Sequence, residues 1–154
     1  MMNLSIFFTY LLATAAAAGT GAMFKPGEWY DGLKKPDWTP PRWVFPTAWT
    51  TLYLLSAIAA TRLSAIEGNA QALALWSAQI AFNTLWSPVF FGLKKIKAAL
   101  VPMAGLWVSV VLLTISAFGL DVWAGLMFLP YVAWVSAAAA LNISVVRLNP
   151  QVSG

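Results

Sequence analysis

With 154 residues, 60% of them hydrophobic and only 9% charged, and a mean hydropathy of +0.74, the chain lies outside the composition of a water-soluble domain of its length. It has no Cys and no His, which excludes disulfides, thiol chemistry, the usual zinc sites, histidine general bases and histidine-ligated haem. The net charge of +4 does not point to nucleic acid, because no basic patch is interleaved with aromatic residues and no soluble binding module is present.

A helix needs about 20 apolar residues to cross the hydrocarbon layer. Five stretches qualify, and none carries a charge: Leu4–Phe24, Trp43–Thr61, Ala70–Gly92, Ala98–Leu120 and Val122–Val146. The fold class they predict is an all-α integral membrane protein, a five-transmembrane-helix bundle forming one domain over residues 1–154. The first stretch is rich in small residues between Ala15 and Ala22, as a cleaved leader would be, but no basic residue precedes Lys25. It therefore reads as a retained span. Small residues four apart, Ala13, Ala17 and Gly21 in the first span and Ala70, Ala74 and Ala78 in the third, form ridges that allow close helix approach within one chain or across a homodimer.

Between the first two spans runs a loop over 25–42, too long for a simple connection. Its prolines stiffen it, and Trp29, Tyr30, Leu33 and Trp38 are suited to plug the mouth of a bundle, with Arg42, Lys34 or Lys35 available to an anionic ligand group. The competing reading is an amphipathic loop resting on the membrane surface with its rings as anchors.

In the second span Pro46, Trp49, Tyr53, Ser56 and Ala60 share a helix face; in the third Gln79, Asn83, Trp86 and Phe90 do; in the fifth Tyr131, Trp134, Ala138 and Asn142 do. Each stripe combines rings with hydrogen-bonding groups. Gln79 and Asn83 are costly against lipid, so their stripe is expected to face the bundle interior. At 1.5 Å per residue Trp134 and Asn83 lie roughly 18 and 14 Å from their helix ends, too deep for an interfacial belt. Pro88 falls near the end of the third span, Pro102 opens the fourth, and Pro130 lies inside the fifth, where it is expected to kink the helix.

With five spans, Lys25, Lys34, Lys35, Arg42, Lys94, Lys95, Lys97 and Arg147 fall on one side of the membrane and only Arg62 on the other. The positive-inside rule then places the first loop, the third loop and the C-terminus in the cytoplasm.

The segments Trp29-Tyr30-Asp31, Lys35-Pro36-Asp37-Trp38-Thr39-Pro40-Pro41, Phe45-Pro46-Thr47-Ala48-Trp49-Thr50-Thr51-Leu52-Tyr53, Gln79-Ile80-Ala81-Phe82-Asn83-Thr84-Leu85-Trp86, Phe90-Phe91-Gly92, Pro130-Tyr131-Val132-Ala133-Trp134 and Leu141-Asn142 run in order over nearly the whole chain. In them the sequence resembles the translocator protein or tryptophan-rich sensory protein family, the peripheral-type benzodiazepine receptors, and looks like a bacterial member. The resemblance implies a five-helix bundle, usually dimeric, whose cavity binds protoporphyrin IX and, in some members, cholesterol and isoquinoline carboxamide or benzodiazepine ligands.

Carried over by motif, Trp49, Asn83, Trp86, Trp134, Ala138 and Leu141 would line that cavity. The site expected from stripes, lid and resemblance together is Trp38, Arg42, Trp49, Tyr53, Asn83, Trp86, Phe90, Tyr131, Trp134, Ala138, Leu141 and Asn142. No cofactor is required, and the porphyrin enters as ligand. The family's sterol motif needs a Tyr where this chain has Ile143, which argues against tight sterol binding.

Three roles follow from the resemblance. The first is a tetrapyrrole binding or transport protein. The second is a light-dependent porphyrin-degrading enzyme, in which Trp49 and Trp134 would trade electrons with the excited macrocycle. The third is a ligand-responsive regulatory scaffold. Helical spans favour the inner bacterial membrane on general grounds, whereas relatives are placed in outer membranes.

Overall fold

A computed structural model describes residues 1–152; the single-domain expectation reaches Gly154, and Ser153 and Gly154 lie outside the described residues. Among the described residues the chain is all-helical, with no strand. The helices are α1 (Leu4–Met23), α2 (Glu28–Asp31), α3 (Val44–Ser64), α4 (Ala70–Ser87) continued by a π-helical turn (Pro88–Gly92), α5 (Leu100–Leu120) and α6 (Val122–Leu148).

Four of these, α1, α3, α5 and α6, are long and apolar enough to cross a membrane. α4 carries Gln71, Ser77, Gln79, Asn83 and Thr84, which lower its hydropathy, so the count of five spans does not follow from helix length and composition alone.

The five long helices close into a ring in the order α1, α3, α6, α5, α4 and back to α1. The largest packed cluster lies inside it, with Leu52, Leu63, Trp76, Leu106, Leu113, Phe128, Tyr131 and Val135 among its buried members. Hydroxyl groups are handled locally: Thr47, Thr51, Thr61, Ser77, Thr84, Thr114 and Ser144 each donate to the carbonyl four residues back. That removes the cost of carrying them on helices bathed in hydrocarbon.

Helix ends differ from the expected bounds where a local interaction extends or breaks them. α3 runs a turn past Thr61 because the Arg62 side chain Nε donates to Asp121 Oδ2 at 2.6 Å and suits a helix C-terminus. α6 reaches Leu148 and includes Arg147 in its last turn. Asp121 is the sole residue between α5 and α6, and its Oδ1 caps α6 by accepting from the Trp123 N–H at 2.9 Å.

At Pro88 the helical path of α4 does not stop. The turn widens instead, and the Leu93 N–H donates to the Pro88 carbonyl at 2.8 Å. Pro130 lies inside α6, which continues without interruption. In the following loop Lys94 takes a positive φ of 56°, a left-handed conformation that costs about 1–2 kcal/mol for a non-glycine residue and lets the chain turn back into α5.

The loop over 25–42 contains the short helix α2, not expected from the sequence. The Lys35 ammonium folds back over it and donates to the carbonyls of Tyr30, Leu33 and Asp31 at 2.8, 3.0 and 3.4 Å. Arg42 pairs with Asp31 across the same loop.

Candidate intramembrane ligand site

α4 and α6 meet through a buried polar chain. Asn83 Nδ2 donates to the Tyr131 hydroxyl at 3.0 Å, and that hydroxyl donates to Gln79 Oε1 at 2.6 Å. Gln79 and Asn83, one turn apart, are both buried, as their stripe required. Gln79 Nε2, at one end of this chain, and Trp134 Nε1, outside it, are buried donors without a partner among the described residues. An unsatisfied buried donor costs about 1–3 kcal/mol, so both favour any acceptor brought to them.

Around this chain the rings pack face to edge. Trp49 stacks on Tyr53 with centroids 5.7 Å apart and meets Tyr131 and Trp134 edge-on at 6.1 and 6.4 Å, while Phe45 abuts Trp134 at 5.6 Å. Ala138, one turn beyond Trp134, packs against the same cluster. Trp49, Tyr53, Asn83, Tyr131, Trp134 and Ala138 thus belong to one centre formed by α3, α4 and α6.

A second cluster lies toward the lid. Trp86 and Phe90 lie 4.9 Å apart, and Trp29 and Tyr30 from the lid each approach Phe90 at 6.2 Å. Trp86 Nε1 donates to Asn142 Oδ1 at 3.1 Å, and Asn142 Nδ2 donates to the Ile96 carbonyl at 2.9 Å, so one amide ties α6 to both α4 and the third loop. Leu141 is buried here beside Tyr30, Leu33 and Val145. Trp86 packs against both clusters and joins them.

Two of the expected site residues belong to neither cluster and lie exposed on the lid. Trp38 is half exposed in a surface groove of about 450 Å³ that it shares with Lys35, Asp37, Ser144 and Arg147. Arg42 is exposed and engaged with Asp31. Of the four residues expected to plug the mouth, Tyr30 and Leu33 are buried and Trp29 is partly buried against them, whereas Trp38 is not. A further groove of about 390 Å³ lies along Pro46, Thr47, Thr50 and Thr51 of α3. Burial pushes the Tyr30 phenol above its ordinary value, with Arg42 opposing the shift, so the lid's docked ring stays protonated and uncharged at neutral pH.

Sequence patterning missed Phe45 and Gln79 as site members, although both lie within quoted motifs, and it missed Asn149. Asn149 carried one signal, an Asn directly before Pro150 at a helix end. Among the described residues no group of three or more His, Cys, Asp or Glu is placed to hold a metal ion.

A ring of apolar helices enclosing a polar and aromatic centre defines an integral, multi-pass membrane protein. Residues 7–148 match the TspO/MBR family, and the chain belongs to it. It is 52% identical over 148 residues to the "Tryptophan-rich sensory protein" of Cereibacter sphaeroides, covering 96% of this chain and 94% of that one. It is 50% identical over 153 residues to "Protein CrtK" of Rhodobacter capsulatus, covering 97% and 96%. Human "Translocator protein" is 32% identical over 148 residues, covering 91% and 88%.

Proposed function

We propose that the chain binds a flat, largely apolar ligand with acidic or carbonyl groups, of which protoporphyrin IX is the type, between α3, α4 and α6 beneath the lid. The observation that carries this reading is the Trp49 ring, held edge-on to both Tyr131 and Trp134 beside a buried polar chain and two unused buried donors, Gln79 Nε2 and Trp134 Nε1. Flat rings stack on indoles, and acceptor groups answer the free N–H bonds. The rings touch one another, so a guest enters by parting them.

The full proposed lining is Trp49, Tyr53, Asn83, Trp86, Phe90, Tyr131, Trp134, Ala138, Leu141 and Asn142, with Arg42 and Trp38 on the lid meeting carboxylates at the entrance. Cholesterol, isoquinoline carboxamides and benzodiazepines are apolar enough for the same space. Ile143 is exposed on α6 and offers no phenol to a sterol hydroxyl. The test is quenching of tryptophan fluorescence by protoporphyrin IX in detergent: saturable quenching that weakens in Trp49→Ala and Trp134→Ala supports the reading, and unsaturable quenching equal in all three proteins defeats it.

The same reading takes α4 with its π-turn as a fifth span within a single transmembrane domain. No ionised residue occurs from Ala70 to Gly92, a stretch of roughly 30 Å or more, and α4 packs between α1 and α5. Five spans gather eight of the nine basic residues on one side, here assigned to the cytoplasm of a bacterial cell. Ala70 and Ala74 are exposed on α4 whereas Ala17 on α1 is buried within the chain, which favours the third span for pairing in a homodimer.

A further inference from the structure

The lid over 25–42 is fastened to the bundle in two ways. Tyr30 and Leu33 are buried against Phe90, Ile96 and Val145. Its hydrogen bonds from side chains outside the lid come, among the described residues, from Asn149, the C-cap of α6. Asn149 Oδ1 accepts from the Lys34 backbone N–H at 2.9 Å, and Nδ2 donates to the Lys34 carbonyl at 2.8 Å. No other side chain outside the lid hydrogen-bonds to it among the described residues. The second Nδ2 proton goes to the Val145 carbonyl at 2.8 Å, so the amide is oriented by its own helix before it meets the lid.

This two-point pairing copies one rung of a β-ladder with a side-chain amide. It needs a group that donates and accepts at once, which Asp, Ser and Ala do not supply in that geometry. The partner segment is itself stiff: the Lys35 ammonium gathers three lid carbonyls, and Arg42 pairs with Asp31. α6 also carries Tyr131, Trp134, Ala138, Leu141 and Asn142, so one helix bears much of the proposed lining and, ~22 Å further along from Trp134, the lid's fastening.

We propose that Asn149 is a positioning residue that latches the lid over the ligand site and sets how fast ligand enters and leaves; the gating half of this rests on the function proposed above. Two variants separate the parts. Asn149→Ala removes both bonds, and Asn149→Asp keeps the acceptor but turns a carboxylate oxygen against the Lys34 carbonyl.

Backbone hydrogen exchange of the full chain in detergent, without ligand, reads the latch alone. Exchange at Lys34 and across residues 28–42 is expected to rise on the order of tenfold in both variants, with α3 and α5 unchanged. Stopped-flow quenching by protoporphyrin IX reads the gate: association and dissociation rates should rise together, leaving Kd within about twofold. A residue that merely supported the fold would instead raise exchange everywhere and weaken Kd.

Unchanged lid exchange in both variants overturns the latch. Raised lid exchange with unchanged ligand rates overturns the gate. If the unmodified protein shows no saturable quenching, the ligand reading and the gate both fall, while exchange still decides whether Asn149 fastens the lid.

Discussion

Asn83 of α4 and Tyr131 of α6 are joined by a buried 3.0 Å hydrogen bond, and the same tyrosine hydroxyl donates a hydrogen bond to Gln79 Oε1, one turn from Asn83 on α4. Two helices that are not consecutive in the chain are thereby registered at one depth. Tyr131→Phe keeps the ring but strands Asn83 Nδ2 and Gln79 Oε1. It should lower stability by about 0.6–2 kcal/mol, the range for such bonds inside membrane proteins. Thermal unfolding in detergent checks this, and an unchanged midpoint would mean that the amides find other partners.

Ring contacts of the kind seen at Trp49 and Trp134 contribute about 0.5–1.5 kcal/mol each beyond simple burial. Replacing either indole by Phe should therefore raise the Kd for protoporphyrin IX roughly three- to tenfold. Because the chain offers no His to an iron atom, haem should bind no better than the metal-free ring. Parallel titrations decide both points, and tighter binding of haem would indicate an axial ligand such as Tyr53.

Illumination of the protoporphyrin complex tests the catalytic alternative. If Trp49 and Trp134 exchange electrons with the excited ring, bleaching should slow severalfold in Trp49→Phe and Trp134→Phe at saturating ligand. Equal bleaching in all proteins, at matched occupancy, would reduce the indoles to a binding surface.

The Arg62 side chain holds the Asp121 carboxyl below the usual carboxylate range. A carboxyl whose pKa is depressed by folding adds stability that is fully present above its unfolded value, near 3.9, and is lost as pH falls through the lower folded value. Arg62→Gln removes the main cause of the depression. The acid loss of stability should then shrink, so that the two curves, separated by a constant above about pH 6, converge as pH falls below the unfolded value. An identical acid limb would show that the Trp123 N–H bond alone holds the carboxylate.

Much of this was legible in the sequence because the bilayer restricts the options. Charge-free runs gave the long helices to within a few residues, and the spacing of Gln79 and Asn83 predicted their inward face, since buried amides need partners that lipid does not offer. The ring cluster followed from stripes at helical period. What the period could not carry was anything set by a cap or a loop. The last turn of α3, to Ser64, carries Arg62 paired with Asp121, 59 positions away, and Trp38 lies exposed on the lid, where helical period does not apply. Asn149 escaped because its role is defined by a backbone partner 115 residues distant, which no local pattern encodes. The span was expected to run through Pro88 to Gly92, and what its hydropathy did not encode is that the helix accommodates the proline by widening into a π-turn.

A single residue spans at most about 3.5 Å, and Asp121 is all that separates α5 from α6. The far end of one helix and the near end of the other are consequently bound to a common level, so the pair must be threaded into lipid as one hairpin. Any rocking of α6 pivots about that point, and its opposite tip, where Asn149 sits, sweeps the widest arc.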